Sequence, residues 1–159
     1  MKLFTLLLLM ITTMQSAIAE ITQVKVNKTQ RLIQLIDNGN VIKAYPIALG
    51  GNPEGHKTQE GDERTPEGTY TLDYVKEDSA FYRAMHISYP NPKDKQQAEG
   101  LGVSPGGFIM IHGQKNGLGW LSGLAQKMDW TNGCIAITNE QMDEFLTLVK
   151  VGTPIEIEP

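Results

Sequence analysis

The sequence predicts a mainly β domain with few helices, long loops and one helix near the C-terminus. Three observations predict it. Short runs of β-branched or alternating residues recur along the chain, each bounded by Gly, Pro or Asn; the clearest helix-start signal comes late; and two long stretches are polar and glycine-rich. The first runs are Ile21–Val26 and Arg31–Ile36. Asp37-Asn38-Gly39-Asn40 then supplies a tight hairpin turn before Val41–Leu49. Further strands are expected at Gly68–Val75, Arg83–Tyr89, Gly107–Gly113 and Pro154–Glu158.

The late helix signal is a capping box, Thr138-Asn139-Glu140-Gln141, leading into Met142–Lys150. Met142, Phe145, Leu146 and Val149 form one apolar stripe, and Gly152 is expected to close the helix. The pattern also admits a short helix over Pro92–Ala98. Residues 50–68 and 99–107 are too polar and glycine-rich to read as packed elements, and loops of that length tend to be functional or mobile.

At the N-terminus, Lys2, the apolar run Leu3–Ile11 and the small residues of Ala17-Ile18-Ala19 read as a secretory signal peptide over residues 1–19. Thr12 and Thr13 break the run before the ~20 apolar residues a spanning helix needs, so stable membrane insertion is not expected. Residues 20–159 then form one exported catalytic-sized domain. The formal charge is −4 and no Lys/Arg-rich block occurs, which argues against nucleic acid as a partner. With a single cysteine the domain closes no internal disulfide, and its fold rests on core packing.

That cysteine, Cys134, follows Gly133 in the turn-forming run Asp129–Cys134. A thiol attacks carbonyls as its thiolate, formed near neutral pH when a histidine takes the proton. His112 ends the apolar strand Phe108–Ile111 and is followed by Gly113, a place where a polar side chain can face a cleft. The intervening segment is long enough to fold back and join the two. Gly133 permits close substrate approach, and the amides of Gly133 and Cys134 are candidate oxyanion donors. The plainer alternatives are an inert, buried Cys134 and a His112 that caps its strand. No His-x-His or Cys-x-x-Cys spacing supports a metal site.

His112-Gly113, a spacer, then Thr131-Asn132-Gly133-Cys134-Ile135 resembles the signature of the YkuD-type L,D-transpeptidases. Thr65-Pro66-Glu67-Gly68 before a strand, and the segment from Met85 to Asp94, resemble short exported members of Gram-negative bacteria. The resemblance covers about Ile21 to the C-terminus. It implies a mixed β-sandwich acting in the periplasm on peptidoglycan stem peptides, without metal or organic cofactor. By position, Cys134 is the nucleophile, His112 the base, Gly133 and Cys134 the oxyanion amides, and Thr131 shapes the turn.

Two positions depart from the family pattern: Asn132 stands where a second histidine is common, and Ala136 where an arginine or asparagine is common. Both bear on substrate orientation and the acyl acceptor. An amine acceptor makes the protein a transpeptidase and water a carboxypeptidase; related enzymes cut an outer-membrane lipoprotein from peptidoglycan; and a non-catalytic wall-binding domain is the alternative of another class. Arg64 and Arg83 are candidates to pair with substrate carboxylates, and His86, Gly113, Thr131 and Asn132 to line the cleft. His56 lies in the polar loop. Trp120 and Trp130 flank the spacer, either walling the cleft or anchoring the loop.

Overall fold

A computed structural model describes residues 20–159. The expected signal peptide, residues 1–19, lies outside the described residues. Eight strands form one mixed sheet in the order β3-β2-β1-β8-β4-β5-β6-β7. They are β1 (Gln23–Asn27), β2 (Leu32–Asp37), β3 (Asn40–Pro46), β4 (Gly68–Ser79), β5 (Tyr82–Ile87), β6 (Met110–His112), β7 (Ile135–Ala136) and β8 (Pro154–Glu158). Most neighbours are antiparallel, while β1–β8 and β6–β7 are parallel.

The two sheet edges meet. Ala48, just beyond β3, bridges Ala136 of β7, and Gly50 bridges Thr131. The sheet therefore curls into facing layers around one core, in which Val24, Ile33 and Leu35 from one end join Ile87, Ile111 and Ile135 from the other. The β2–β3 turn carries positive φ at Asn38 and Gly39, the conformation that Asn-Gly favours in a two-residue hairpin.

β4 runs to Ser79, four residues past the expected end. Its polar tail is carried by backbone pairing to β5, through Lys76 with Ala84 and Ser79 with Tyr82, which hydropathy alone does not reveal. β7 was not expected: it is two buried residues aligned beside β6.

The helix α3 (Asn139–Leu148) begins at Thr138, whose side chain accepts from the Gln141 amide while Gln141 returns a bond to the Thr138 amide. It buries Met142 and Phe145 and packs on β5. It stops at Leu148, not at Gly152; Val149 turns extended into the core, and Gly152, at positive φ, serves the turn before β8.

The short helix is real and longer than expected. α1 (Pro92–Leu101) is capped by Asn91 and Asp94 in a reciprocal box and closed by Gly102 in the left-handed conformation, so Glu99–Leu101 are helical rather than loop. A 3-10 turn (Gly119–Leu121) and the four-residue α2 (Ser122–Ala125) add local structure between β6 and β7. Among the described residues no helix is long and apolar enough to cross a membrane.

Phe145 is fully buried where α3 meets the sheet. Phe145→Ala is expected to lower stability by about 3–5 kcal/mol, read as a lower urea midpoint.

Candidate active site

The turn before Cys134 is tied down residue by residue. Arg31 holds the Asp129 carboxylate with two bonds, Nε at 3.1 Å and Nη2 at 2.5 Å, and the Leu49 amide donates to the same carboxylate at 3.0 Å. The amides of Trp130 and Thr131 both reach the Leu49 carbonyl, at 3.0 and 3.1 Å. Thr131 Oγ1 donates to the Cys134 carbonyl (2.7 Å) and accepts from the Gly133 amide (3.2 Å). The Gly133 N–H is thus consumed inside the turn. Of the two amides expected as oxyanion donors, that of Gly133 is therefore engaged.

Gly133 has another task. Its φ is +114°, and a Cβ there would lie 2.5 Å from the Arg64 carbonyl oxygen. Thr65 Oγ1 donates to the Gly133 carbonyl at 2.9 Å. Thr65 of the Thr-Pro-x-Gly stretch therefore fastens the 50–68 loop onto the cysteine turn.

Cys134 and His112 line one cleft of about 440 Å³, with Phe81, Phe108, Met110 and Trp130 forming its apolar walls. Only 4% of His112 is exposed; its ring packs against Phe81 (centroids 4.7 Å) and Trp130 (5.7 Å). His112 Nδ1 lies 2.7 Å from the Gly113 carbonyl, which can only accept, so Nδ1 carries the proton and Nε2 is the free acceptor. Burial holds the imidazole below its ordinary value against the opposing Gly113 bond. Burial also pushes the Cys134 thiol up, only partly offset by the Met110 backbone and the charge of Lys57. Both directions favour a neutral thiol beside a neutral imidazole.

The thiol Sγ sits 3.6 Å from the Phe108 carbonyl. Phe108 has φ +54° and is 78% exposed, an uncommon backbone conformation for a bulky residue and an exposed aromatic ring at the cleft mouth. Its carbonyl faces the Cys134 thiol while the exposed side chain lines the cleft.

The 50–68 loop is neither unpacked nor loose. Lys28 Nζ, almost fully buried, binds the Gly55 carbonyl (2.7 Å) and Glu67 (2.7 Å). Lys57 Nζ binds Asp62 (2.8 Å) and the Gln59 carbonyl (2.9 Å). Burial opposes ionisation of Asp62, but Lys57 and the amides of Thr58, Gln59 and Arg64 outweigh it and hold the carboxyl below its ordinary range. His56 accepts from the Glu67 amide at Nδ1 and faces Asp94 through Nε2 at 3.3 Å, bracing the loop against α1 rather than joining the cleft.

Of the residues expected at the site, Cys134, His112, Thr131 and Asn132 line the cleft. Gly113 lies behind it: its carbonyl orients His112, and a Cβ there would meet Asn139 Oδ1 at 2.6 Å. Three cleft-facing expectations are corrected. Arg83 is spent on Glu77 and Asp143. Arg64 offers its backbone to Gly133, while its guanidinium lies toward Gly55. His86 is stacked on Tyr74 with Nδ1 2.7 Å from Asp73, outside the cleft lining.

Trp130 is a cleft wall, whereas Trp120, 79% exposed, neither walls it nor anchors a core. Ala136 is fully buried and contributes backbone, paired with Ala48 and aligned with His112. Sequence reasoning missed Ser79, Phe81, Phe108, Met110 and Lys115 in the lining. The Gly106-Gly107 pair before Phe108 was the one available signal. Among the described residues no group of three or more His, Cys, Asp or Glu side chains could hold a metal ion.

The YkuD family model, described as an L,D-transpeptidase catalytic domain, matches residues 21–157. The chain is 28% identical over 132 residues to the candidate L,D-transpeptidase YafK of Escherichia coli (strain K12), covering 79% of this chain and 46% of that protein. The helical cell shape determining protein Pgp2 from Campylobacter jejuni superposes with a TM-score of 0.68 at 30% identity, covering 86% of this chain and 46% of its own. An L,D-transpeptidase from Mycobacterium smegmatis, at 14% identity and a TM-score of 0.57, shares the fold over 87% of this chain and 59% of its own. The chain spans about half the length of the curated relatives it matches.

Two outcomes check this geometry. Gly133→Ala forces a side chain into the Arg64 carbonyl at a disfavoured φ, and is expected to cost about 3 kcal/mol in urea unfolding. Alkylation of Cys134 by iodoacetamide in the resting protein is expected to rise with pH through a midpoint above the ordinary thiol range, because burial favours the neutral form. A reactive plateau at pH 5–7 would instead reveal a preformed thiolate–imidazolium pair.

Proposed function

The chain belongs to the YkuD family of L,D-transpeptidase catalytic domains, and on that premise we propose that Cys134 performs acyl transfer on peptidoglycan stem peptides in the periplasm. The observation that carries this reading is the cleft lined by both Cys134 and His112, whose Nδ1 is committed to Gly113 and leaves Nε2 as the free acceptor.

His112 Nε2 takes the thiol proton as Sγ attacks the carbonyl carbon of the amide that joins the L-centre of diaminopimelate to D-alanine. The developing oxyanion is met by the amide of Cys134. Collapse breaks the C–N bond, the His112 imidazolium returns its proton to the departing amine, and D-alanine leaves a thioester on Sγ. An incoming amine then attacks the thioester, His112 removes its proton, and the thiol is restored. A neutral resting pair suits this sequence, because proton transfer coincides with attack and no buried charge waits unpaired in an apolar cleft.

Water in place of the amine gives an L,D-carboxypeptidase. One observation favours keeping that second reading: Asn132, exposed at the cleft, puts a neutral amide where the family pattern commonly has another histidine, so His112 is the sole base lining the cleft. A lipoprotein amide linked to diaminopimelate would enter by the same acyl step. Similarity to a helical cell shape determining protein supports a role in wall remodelling that bears on cell form.

Intact mass spectrometry of wild type, Cys134→Ala and His112→Ala with purified tetrapeptide muropeptides tests the reading. Wild type is expected to form a thioester adduct and release D-alanine, Cys134→Ala to do neither, and His112→Ala to slow acylation by about 10²–10⁴-fold. Dimers joined between two diaminopimelates identify transpeptidation, and release without dimers identifies the carboxypeptidase. An unchanged substrate with wild type overturns the acyl-transfer reading.

A further inference from the structure

Removing Arg64 and Arg83 from the cleft leaves a charge question open. Stem peptides carry carboxylates, yet of the two arginines expected to receive them Arg83 is paired with Glu77 and Asp143, and Arg64 lies outside the cleft lining with its guanidinium toward Gly55. Lys57, the cation whose field reaches Cys134, is buried against Asp62. The walls of the cleft are mainly aromatic and thioether side chains, and its polar members Ser79, Thr131 and Asn132 carry no charge to compensate a carboxylate drawn out of water.

We propose that Lys115 is the carboxylate anchor of the cleft, a specificity-determining residue whose ammonium pairs with a carboxylate of the bound stem peptide. This rests on the peptidoglycan reading above. Lys115 lines the cleft with Cys134 and His112, and with the imidazole neutral it is the single cationic side chain in that lining. Among the described residues no carboxylate lies within ion-pair distance of its ammonium, whereas Arg83, Lys28, Lys57 and Arg31 each have one.

The backbone beneath Lys115 is held on both sides. The Gln114 amide donates to Asn139 Oδ1 at 2.8 Å, and its buried side chain donates to the Ile137 carbonyl at 2.8 Å. Asn116 donates from its amide to the Ala80 carbonyl (3.1 Å) and from Nδ2 to the Ser79 carbonyl (3.0 Å), and accepts from the Tyr82 amide (2.9 Å). These bonds fix the Cα of Lys115 against β5, β7 and α3, three residues from His112, while the flexible stem stays free to follow a ligand. A compact ammonium on such a stem suits capture of a single carboxylate as a point charge.

Of the stem's free carboxylates, the anchor is assigned to one of the two on the residues joined by the scissile bond, that of the terminal D-alanine or that on the D-centre of diaminopimelate. Binding is measured by calorimetry in full-length Cys134→Ala protein, with and without Lys115→Met or Lys115→Arg. The ligands are the tetrapeptide muropeptide, its D-alaninamide form and its diaminopimelate-amide form. Lys115→Met is expected to weaken binding of the free acid about tenfold and Lys115→Arg to retain most of it, with the urea midpoint unchanged in both.

In the parent protein, amidating the paired carboxylate is expected to cost the same about tenfold, and in Lys115→Met to cost nothing; the amide that shows this identifies the partner. Equal affinity of Lys115→Met for all three ligands as the parent, an equal loss on all three, or no binding to any protein overturns the anchor. Lys115-dependent discrimination with no turnover by wild type would retain the anchor and overturn acyl transfer. D-alanine release by wild type with no Lys115 dependence would do the reverse.

Discussion

The site depends on one backbone-to-backbone contact. The cysteine turn and the 50–68 loop approach so closely at Gly133, Arg64 and Gly50 that side chains have no room: a Cβ on Gly133 would strike the Arg64 carbonyl, and one on Gly50 would lie 2.9 Å from the Gly133 amide nitrogen. Two segments far apart in sequence thereby behave as one rigid unit, with Thr65 bonded across the seam to the Gly133 carbonyl. The same closeness sets Cys134. A turn pressed against a neighbouring backbone has few alternative conformations, so the thiol is held in place by the fold.

The loop that makes this contact is held by charge, not by hydrophobic packing. Lys28 and Lys57 are buried cations, each satisfied by a carboxylate and a backbone carbonyl, and Asp62 gathers three amides around its carboxylate. Such a polar centre is stable only when every member is paired, because a single unpartnered charge would be costly at that depth. Rigidity of the loop is therefore cooperative. The cleft is the opposite environment: burial among aromatic walls disfavours the charged forms of both His112 and Cys134. The ion pairs thus lie in the supporting loop, away from the thiol and imidazole.

Phe108 joins the two environments. Its left-handed backbone follows Gly106 and Gly107, and its carbonyl faces the thiol while its ring stands in solvent at the cleft mouth. A strained, exposed aromatic residue gains little for folding. Its position beside the Cys134 thiol fits a surface kept for a ligand. Lys115 belongs to the same pattern, the one lysine or arginine lining the cleft, on a braced turn and, among the described residues, without an ion-pair partner.

Local patterns were legible in the sequence because their causes are local. The Asn38-Gly39 hairpin, the alternation in β1 and β2, and the Thr138 capping box each arise from residues within a few positions of one another, and all three appear in the fold. That His112 and Cys134 face one cleft was also readable, since a strand end and a glycine-preceded thiol bear recognisable motifs, and both line the same cleft. What the tertiary structure alone decided concerns competition among distant partners. The Gly133 amide is taken by Thr131, Arg83 by Glu77 and Asp143, and His56 by Glu67 and Asp94, while the polar 50–68 loop acquires an ordered centre from Lys28. A side chain's type states what it could bind; only the folded chain determines which partner reaches it first, and so which groups are left free to meet a substrate.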